Sequence, residues 1–341
     1  MIRSNVIQIS KFRQDILPQN EILRDFKTDL IDLFSGARQG HMEKWEYWEA
    51  SFPGDPAGGE TFWENLIRRP GQYYLPQGDI DTLSKTSMMP AVEAILQAIE
   101  VIVELGPGSA ESVSRKTFSF LRHARKYIAV DLNVHQAEHA AKQVRMATGM
   151  ETSHDIAHYH YPNLPKERRG KTGFIMWGGS IGNIAGSAGA DPLPGLVRTL
   201  RAFADTCNPG DTYFVSIDTE TNAAKLTAAY NEKLLSLKFL SILHAAKKMG
   251  LTEGEFTPET WTHRSVWHEQ SRQVAHYLIP GSDQNFTIAG RTFMLSAGQA
   301  VISNNSYKFT PDQVIEAAKA AGFSRAFMSV DRPIALLIAT K

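Results

Sequence analysis

The sequence predicts an α/β protein: a Rossmann-like, mostly parallel sheet flanked by helices, with a second α+β unit set into it late in the chain. Three observations predict it. Short apolar runs alternate with helical segments from residue 101 to 219. The first of those runs ends in Glu104-Leu105-Gly106-Pro107-Gly108, a glycine turn that opens a helix. The rhythm then breaks between 220 and 308, where a long helical stretch gives way to alternating, antiparallel-type segments.

The elements follow in order. Residues 20–35 carry Ile22, Leu23, Phe26, Leu30, Leu33 and Phe34 at helical spacing, with Asn20 as the expected N-cap. SFPGDPAGGE (51–60) is a loop by composition, and a helix over 60–69 follows it. PGQYYLPQGD reads as turn-rich, and a helix is expected over about 87–99 with Pro90 near its first turn. Strands are then expected at 101–105, 127–132, 173–179 and 211–219, and helices at 111–124, 135–148 and 193–206. Residues 222–249 read as one long helix, followed by the strand-like stretches WTHRSVWH, RQVAHYLI, FTIAG and TFMLSA. PDQVIEAAKAAGF (311–323) is a helix capped by Gly322, and AFMSV and IALLIAT close the sheet as an antiparallel pair.

Bulk properties narrow the function. The chain has 341 residues, 43% of them hydrophobic and 21% charged, which suits a globular protein of one large or two smaller domains. Lys+Arg and Asp+Glu both number 36, so no bulk charge points to a nucleic acid or a membrane surface. Cys207 is the only cysteine, which excludes an intramolecular disulfide and a cysteine metal cluster. No run reaches the ~18 apolar residues of a membrane span, and the first residues lack a signal-peptide core. A cytoplasmic protein is the expectation, and a monomer, since there is neither repeat nor coiled-coil seam.

The glycine turn is informative by what it lacks. A dinucleotide fingerprint G-x-G-x-x-G needs a third glycine at position 111, where Glu111 stands. A ligand with a ribose and an adenine but no phosphates, S-adenosylmethionine (SAM), suits the turn better. Gly106 and Gly108 let backbone approach such a ligand, unless they form a plain tight turn. Asp131 ends the next strand, 23 residues after Gly108. Its carboxylate can accept two hydrogen bonds from ribose hydroxyls, or serve as a turn or N-cap acid. The third strand runs into WGGSIGNI (177–184), where Asn183 can both donate to and accept from a substrate amine or carboxylate, or simply make a turn. His154, His158 and His160 form the densest histidine set, and no metal is expected from it.

Together ELGPGSAES, GGSIGNI, LTAAYNEK and NSYKFTPDQVIEAAKAAGF resemble, in this order and spacing, the histidine-specific SAM-dependent methyltransferase family. The resemblance runs from about Gly59 to the C-terminus. GGSIGN followed about 120 residues later by S-x-K-F is its specific part. Known members trimethylate histidine on the ergothioneine route, and fungal relatives methylate the α-amine of tryptophan derivatives. The resemblance implies a class I SAM-dependent methyltransferase fold. It implies a SAM-binding domain of residues 78–219 and 308–341, and a substrate-binding domain of 20–77 and 220–307. The cofactor would lie against Glu104, Gly106, Gly108, Asp131 and Gly178, with Asp155 and Ile156 at the adenine. Asn183 would hold the substrate's α-amine, and Tyr230 and Tyr73 its carboxylate. Asn183 and Tyr230 are thus the expected catalytic residues, acting by placement of the amine.

This sequence departs from the family at one telling place. A glutamate that contacts imidazole in the histidine enzymes is Asn304 here, while Ser306 is retained. Tyr73-Tyr74-Leu75-Pro76 replaces the family's YYPT, and GDIDTLSKTS follows as an extra stretch. An altered side-chain pocket is expected, to which Trp261, Trp267, Tyr277 and Phe293 can contribute if they are not core. The implied activity is N-methylation of a free amino acid or amino-acid derivative: histidine, arginine or an aromatic amino acid. The alternatives are a SAM- or amino-acid-binding relative without turnover and, more distantly, a nicotinamide oxidoreductase.

Overall fold

The computed structural model describes residues 19–46, 59–69, 71–157, 170–331 and 333–341. Its helices are α1 (Gln19–Ser35), α2 (Gly59–Arg68), α3 (Leu75–Ser87), α4 (Pro90–Gln97), α5 (Ala110–Lys116), α6 (Val134–Thr148), α7 (Leu193–Thr206), α8 (Ala223–Tyr230), α9 (Lys233–Lys248) and α10 (Pro311–Ala321). Its strands are β1 (Ile99–Leu105), β2 (Lys126–Asp131), β3 (Glu151–Ile156), β4 (Lys171–Met176), β5 (Thr212–Asp218), β6 (Glu253–Glu255), β7 (Trp261–His268), β8 (Gln273–Pro280), β9 (Gln284–Ile288), β10 (Arg291–Leu295), β11 (Val301–Tyr307), β12 (Arg325–Asp331) and β13 (Ile334–Thr340).

Seven strands form the main sheet in the order β12-β13-β5-β4-β1-β2-β3. β1 to β5 pair in parallel. β13 runs antiparallel between β5 and β12, as the two C-terminal apolar runs suggested. This is the mostly parallel, Rossmann-like sheet that the sequence predicts. The chain leaves β1 toward β2 and β3 and then returns to β4 on the other side of β1. The order therefore reverses at β1/β4, the place where open α/β sheets bind ligands beyond their strand ends. β5 is buried throughout and β1 and β4 nearly so, which is why all three read as largely apolar runs.

The stretch after β5 holds two small antiparallel sheets, β10-β9-β6 and β11-β8-β7. Their core joins Phe26, Leu30 and Leu33 of α1 to Leu235, Phe239 and Ile242 of α9 and to Phe286 and Phe293. Among the described residues no helix is long and apolar enough to cross a membrane.

Several expectations need correction. The helix expected over 87–99 is α4 alone. Pro90 forces Met89 into an extended conformation (φ −66°, ψ 132°), which separates α4 from α3, and β1 already begins at Ile99. α3 itself falls where turns and an extra stretch were read. Its buried face includes Asp79, Thr82 and Thr86, so it shows little apolar periodicity. The single helix over 222–249 is two, because Glu232 caps α9 through the amides of Leu234 and Leu235. The helix over 111–124 stops at Lys116 and continues as a short 3₁₀ turn, Phe118–Phe120. The strand over 173–179 ends at Met176, where Gly178 and Gly179 take φ of 81° and 68°. β3, β6 and β11 were not foreseen; β3 lies at the sheet edge and buries none of its residues. Asn20 lies inside α1 rather than capping it. Most of the 51–60 loop, His158 and His160 lie outside the described residues.

Candidate functional site

One cavity opens at the β1/β4 switch point and extends toward β11 and α9. It is built from successive strand ends. After β1, Gly106 and Gly108 both adopt φ of 67°, a conformation only glycine takes without strain. A Cβ on Gly106 would meet nothing within 4 Å, so this turn presents bare backbone to open space. Ser109 then caps α5 by accepting from the Ser112 amide at 3.3 Å. Glu111, where the dinucleotide pattern wants glycine, sits in the first turn of α5 and favours the helix dipole.

After β2, the Asp131 carboxylate accepts the Asn133 amide at 2.9 Å and lines the cavity. Burial raises its pKa to about 6, against backbone amides of Asn133, Leu132 and Gly108 that favour the ionised form. After β4, the Gly178 amide donates to Asp79 Oδ2 at 2.7 Å. That carboxylate also holds Lys116 Nζ at 2.9 Å, in an ion pair whose side chains are 0% and 1% exposed. α3, α5 and the β4 turn are thereby tied at one point. Gly182 passes so close to β11 that a Cβ would fall 2.7 Å from the Tyr307 carbonyl oxygen. This approach brings Asn183 to Ser306, whose hydroxyl lies 3.4 Å from Asn183 Oδ1.

After β5, Asp218 anchors the remaining wall. Its Oδ2 accepts from Tyr74 Oη at 2.7 Å and from Lys308 Nζ at 2.6 Å. Lys308 also donates to Tyr230 Oη at 2.5 Å. Tyr73 packs edge-to-face on Tyr230, ring centroids 5.3 Å apart. Behind Ser306, His276 hydrogen-bonds the serine at 3.3 Å and His263 at 3.2 Å, and stacks on Phe239. Burial keeps both imidazoles neutral: it lowers His276 well below its ordinary value and His263 to about 3.

Gly106, Gly108, Asp131, Gly178, Asn183, Tyr73, Tyr230, Asn304 and Ser306 all line this one cavity. Glu104 does not: its carboxylate is 1% exposed and accepts from Thr117 at 2.7 Å and Tyr127 at 2.6 Å, which makes it a buried brace under the turn. Asp155 and Ile156 sit on β3, paired with Val130 and Asp131, and are likewise not among the lining residues. Trp261, Trp267, Tyr277 and Phe293 also stay off the cavity. Trp261 and Phe293 are core, packed with Phe34. Trp267 lines a separate cleft, and Tyr277 bonds His268.

The structure adds residues that sequence reasoning passed over. Glu46 lines the cavity from the N-terminal segment, accepting hydrogen bonds from Asn304 Nδ2 and Lys238 Nζ. Burial raises its pKa to about 7, with Lys238 opposing. Trp63, Trp177 and Lys116 also line the cavity. A charged residue such as Lys116 or Glu46 gives no local signal of burial, because its partner lies on another element.

The turn end of the cavity fits SAM by its chemistry. It offers open glycine backbone, a carboxylate for a diol, and apolar Leu132 and Trp177 beside them. Lys116, the cation of α5 at this end, is already neutralised by Asp79, which disfavours a pyrophosphate.

A family model described as histidine-specific methyltransferase, SAM-dependent, matches residues 39–337. A protein named histidine N-alpha-methyltransferase from Mycobacterium tuberculosis (strain CDC 1551 / Oshkosh) is 26% identical over 306 residues, covering 86% of this chain and 88% of that one. One of the same name from Mycolicibacterium smegmatis (strain ATCC 700084 / mc(2)155) is 24% identical over 289 residues, covering 82% and 83%. Among solved structures, an S-adenosylmethionine-dependent methyltransferase from Clostridium acetobutylicum ATCC 824 aligns with a TM-score of 0.43 at 10% identity, over 82% of this chain and 96% of that one.

Proposed function

Because this chain belongs to the histidine-specific, SAM-dependent methyltransferase family, we propose that it transfers a methyl group to the α-amine of a free amino acid or amino-acid derivative. One observation carries the proposal. A single cavity holds the glycine turn and Asp131 at one end, and Asn183, Tyr73 and Tyr230 beside them. The histidine N-alpha-methyltransferases similar to this chain support the α-amine as the acceptor.

SAM, when bound, supplies an electrophilic methyl on a sulfonium. The chain's residues do the rest by placement. Asp131 accepts the ribose hydroxyls, and Gly106 and Gly108 offer bare backbone. Asn183 Oδ1 would accept a hydrogen bond from the substrate amine and so orient the amine's lone pair. Tyr73 and Tyr230 donate to the substrate carboxylate. Holding both ends of the amino acid in this way would place its nitrogen for attack on the methyl that the cofactor supplies. The amine must reach Asn183 unprotonated. The substrate-binding domain in this proposal comprises residues 20–77 and 220–307, and the SAM domain 78–219 and 308–341.

The side-chain end is lined by Glu46, Asn304, Ser306 and Phe239. Asn304 supplies an amide, and the nearby carboxylate of Glu46 comes from a different element and is paired with Lys238. This favours a substrate whose side chain differs from histidine, with an arginine or an aromatic amino acid as the first to test. Incubation of the protein with SAM and each amino acid in turn, followed by product mass, tests the proposal. Methylation of one amino acid is expected, and SAM binding with no methylated product would mean that the substrate is a modified amino acid or that the protein binds without turnover.

A further inference from the structure

We propose that Lys308 is a positioning residue for substrate carboxylate: its buried ammonium orients the Tyr230 hydroxyl so that the phenolic hydrogen faces the cavity. This inference rests on the amino-acid reading above.

Lys308 follows β11 and is 2% exposed. An ammonium has donors only, so at 2.5 Å Tyr230 Oη must be the acceptor. Tyr230 keeps one hydrogen, because burial and the nearby Asp218 push its pKa well up. That hydrogen has a poor partner in Asp218. Asp218 Oδ2 lies 3.4 Å away, beyond the 2.5–3.0 Å (about) of a good O–H···O bond. The same oxygen already accepts from Lys308 at 2.6 Å and Tyr74 at 2.7 Å. The hydroxyls of Tyr73 and Ser306 stand within hydrogen-bonding reach of Tyr230 oxygen, on the cavity side.

The arrangement is therefore polarised. The balancing anion, Asp218, is not among the cavity-lining residues, whereas Tyr73, Tyr230 and Ser306 are. A cation backed by its counter-ion, with hydroxyl donors in front, suits a carboxylate and no cationic group. Tyr74 completes the device by donating to Asp218, which holds that carboxylate on the side away from substrate.

The test compares the amino acid that the wild-type protein methylates with its decarboxylated amine. In Lys308→Met, KM for the amino acid should rise about 10- to 100-fold, as expected for a lost charge-assisted contact. kcat for the amino acid should fall with it, because the carboxylate anchor also sets the pose of the amine, while turnover of the decarboxylated amine should not change. Lys308→Met leaves Asp218 buried alone, so the double variant Lys308→Met/Asp218→Asn removes both charges and should show the same selective loss. Tyr230→Phe, which changes no charge, should reproduce it, and SAM affinity reports folding throughout. Equal losses on both substrates, no loss on the amino acid, or wild-type turnover indifferent to the carboxylate would overturn the role of Lys308. A wild-type protein that methylates no amino acid removes the parent reading, and this one with it.

Discussion

SAM affinity should fall in mild acid because of one residue, Asp131. Its carboxylate lines the cavity at the end of β2, with burial raising its pKa to about 6. Ribose hydroxyls are donors, and an ionised carboxylate accepts two of them well, whereas the protonated acid spends one oxygen on its own hydrogen. Proton and ligand therefore compete. At pH 7 about nine tenths of the groups are ionised, and at pH 5 about one in eleven. The dissociation constant for SAM should thus weaken roughly tenfold between pH 7 and pH 5, about 1.4 kcal/mol. The sign is fixed: a carboxyl with a raised pKa loses its charge as pH falls through that value. Calorimetric titration of SAM across this window measures it directly. Asp131→Asn should bind about 10- to 100-fold more weakly at pH 7, as for a lost hydrogen bond to a charged group, with its pH dependence flattened. A wild-type affinity constant from pH 5 to 7, or an Asn variant as tight as wild type, would refute the assignment of Asp131 to the ribose.

Asn183→Ala should lower methyl transfer by about 100-fold or more through loss of amine placement, while SAM affinity measured by titration stays within about twofold. Single-turnover methyl transfer should rise about tenfold per pH unit below the bound amine's pKa, since only the unprotonated amine attacks, and then level; rapid quench measures it. Asp79→Ala strands Lys116 in the core and releases the Gly178 amide. It should cost about 3–5 kcal/mol, the usual penalty for breaking a buried pair, read from urea unfolding.

The parts of the fold that sequence exposes are those with uniform burial. β13 and α7 were legible to the residue, because IALLIAT is apolar along almost its whole length and LPGLVRTLRAFADT repeats at helical spacing. α3 was not, since its buried face is partly polar and works through partners such as Lys116 that lie far along the chain. The split between α8 and α9 turned on one capping side chain, Glu232, within a stretch of continuous helix formers. The site divides in the same way. Gly106, Gly108, Asp131 and Asn183 stand in short motifs at strand ends, where chemistry and sequence position coincide. Glu104 occupies the same motif yet turns under the sheet to Thr117 and Tyr127, because a strand alternates its faces and only neighbours in space reveal which face is wet. Glu46 and Lys238 reach the cavity wall, and Lys308 the Tyr230 hydroxyl behind it, from three separate stretches of the chain, and only the folded chain brings them together.

The most direct measurement is the mass of the products formed when the purified protein is given SAM and each common amino acid separately. A gain of one or more methyl groups on a single amino acid, lost in Asn183→Ala, is the predicted result. Tight SAM binding with no amino acid methylated at any pH would contradict N-methylation of a free amino acid as the function of this cavity.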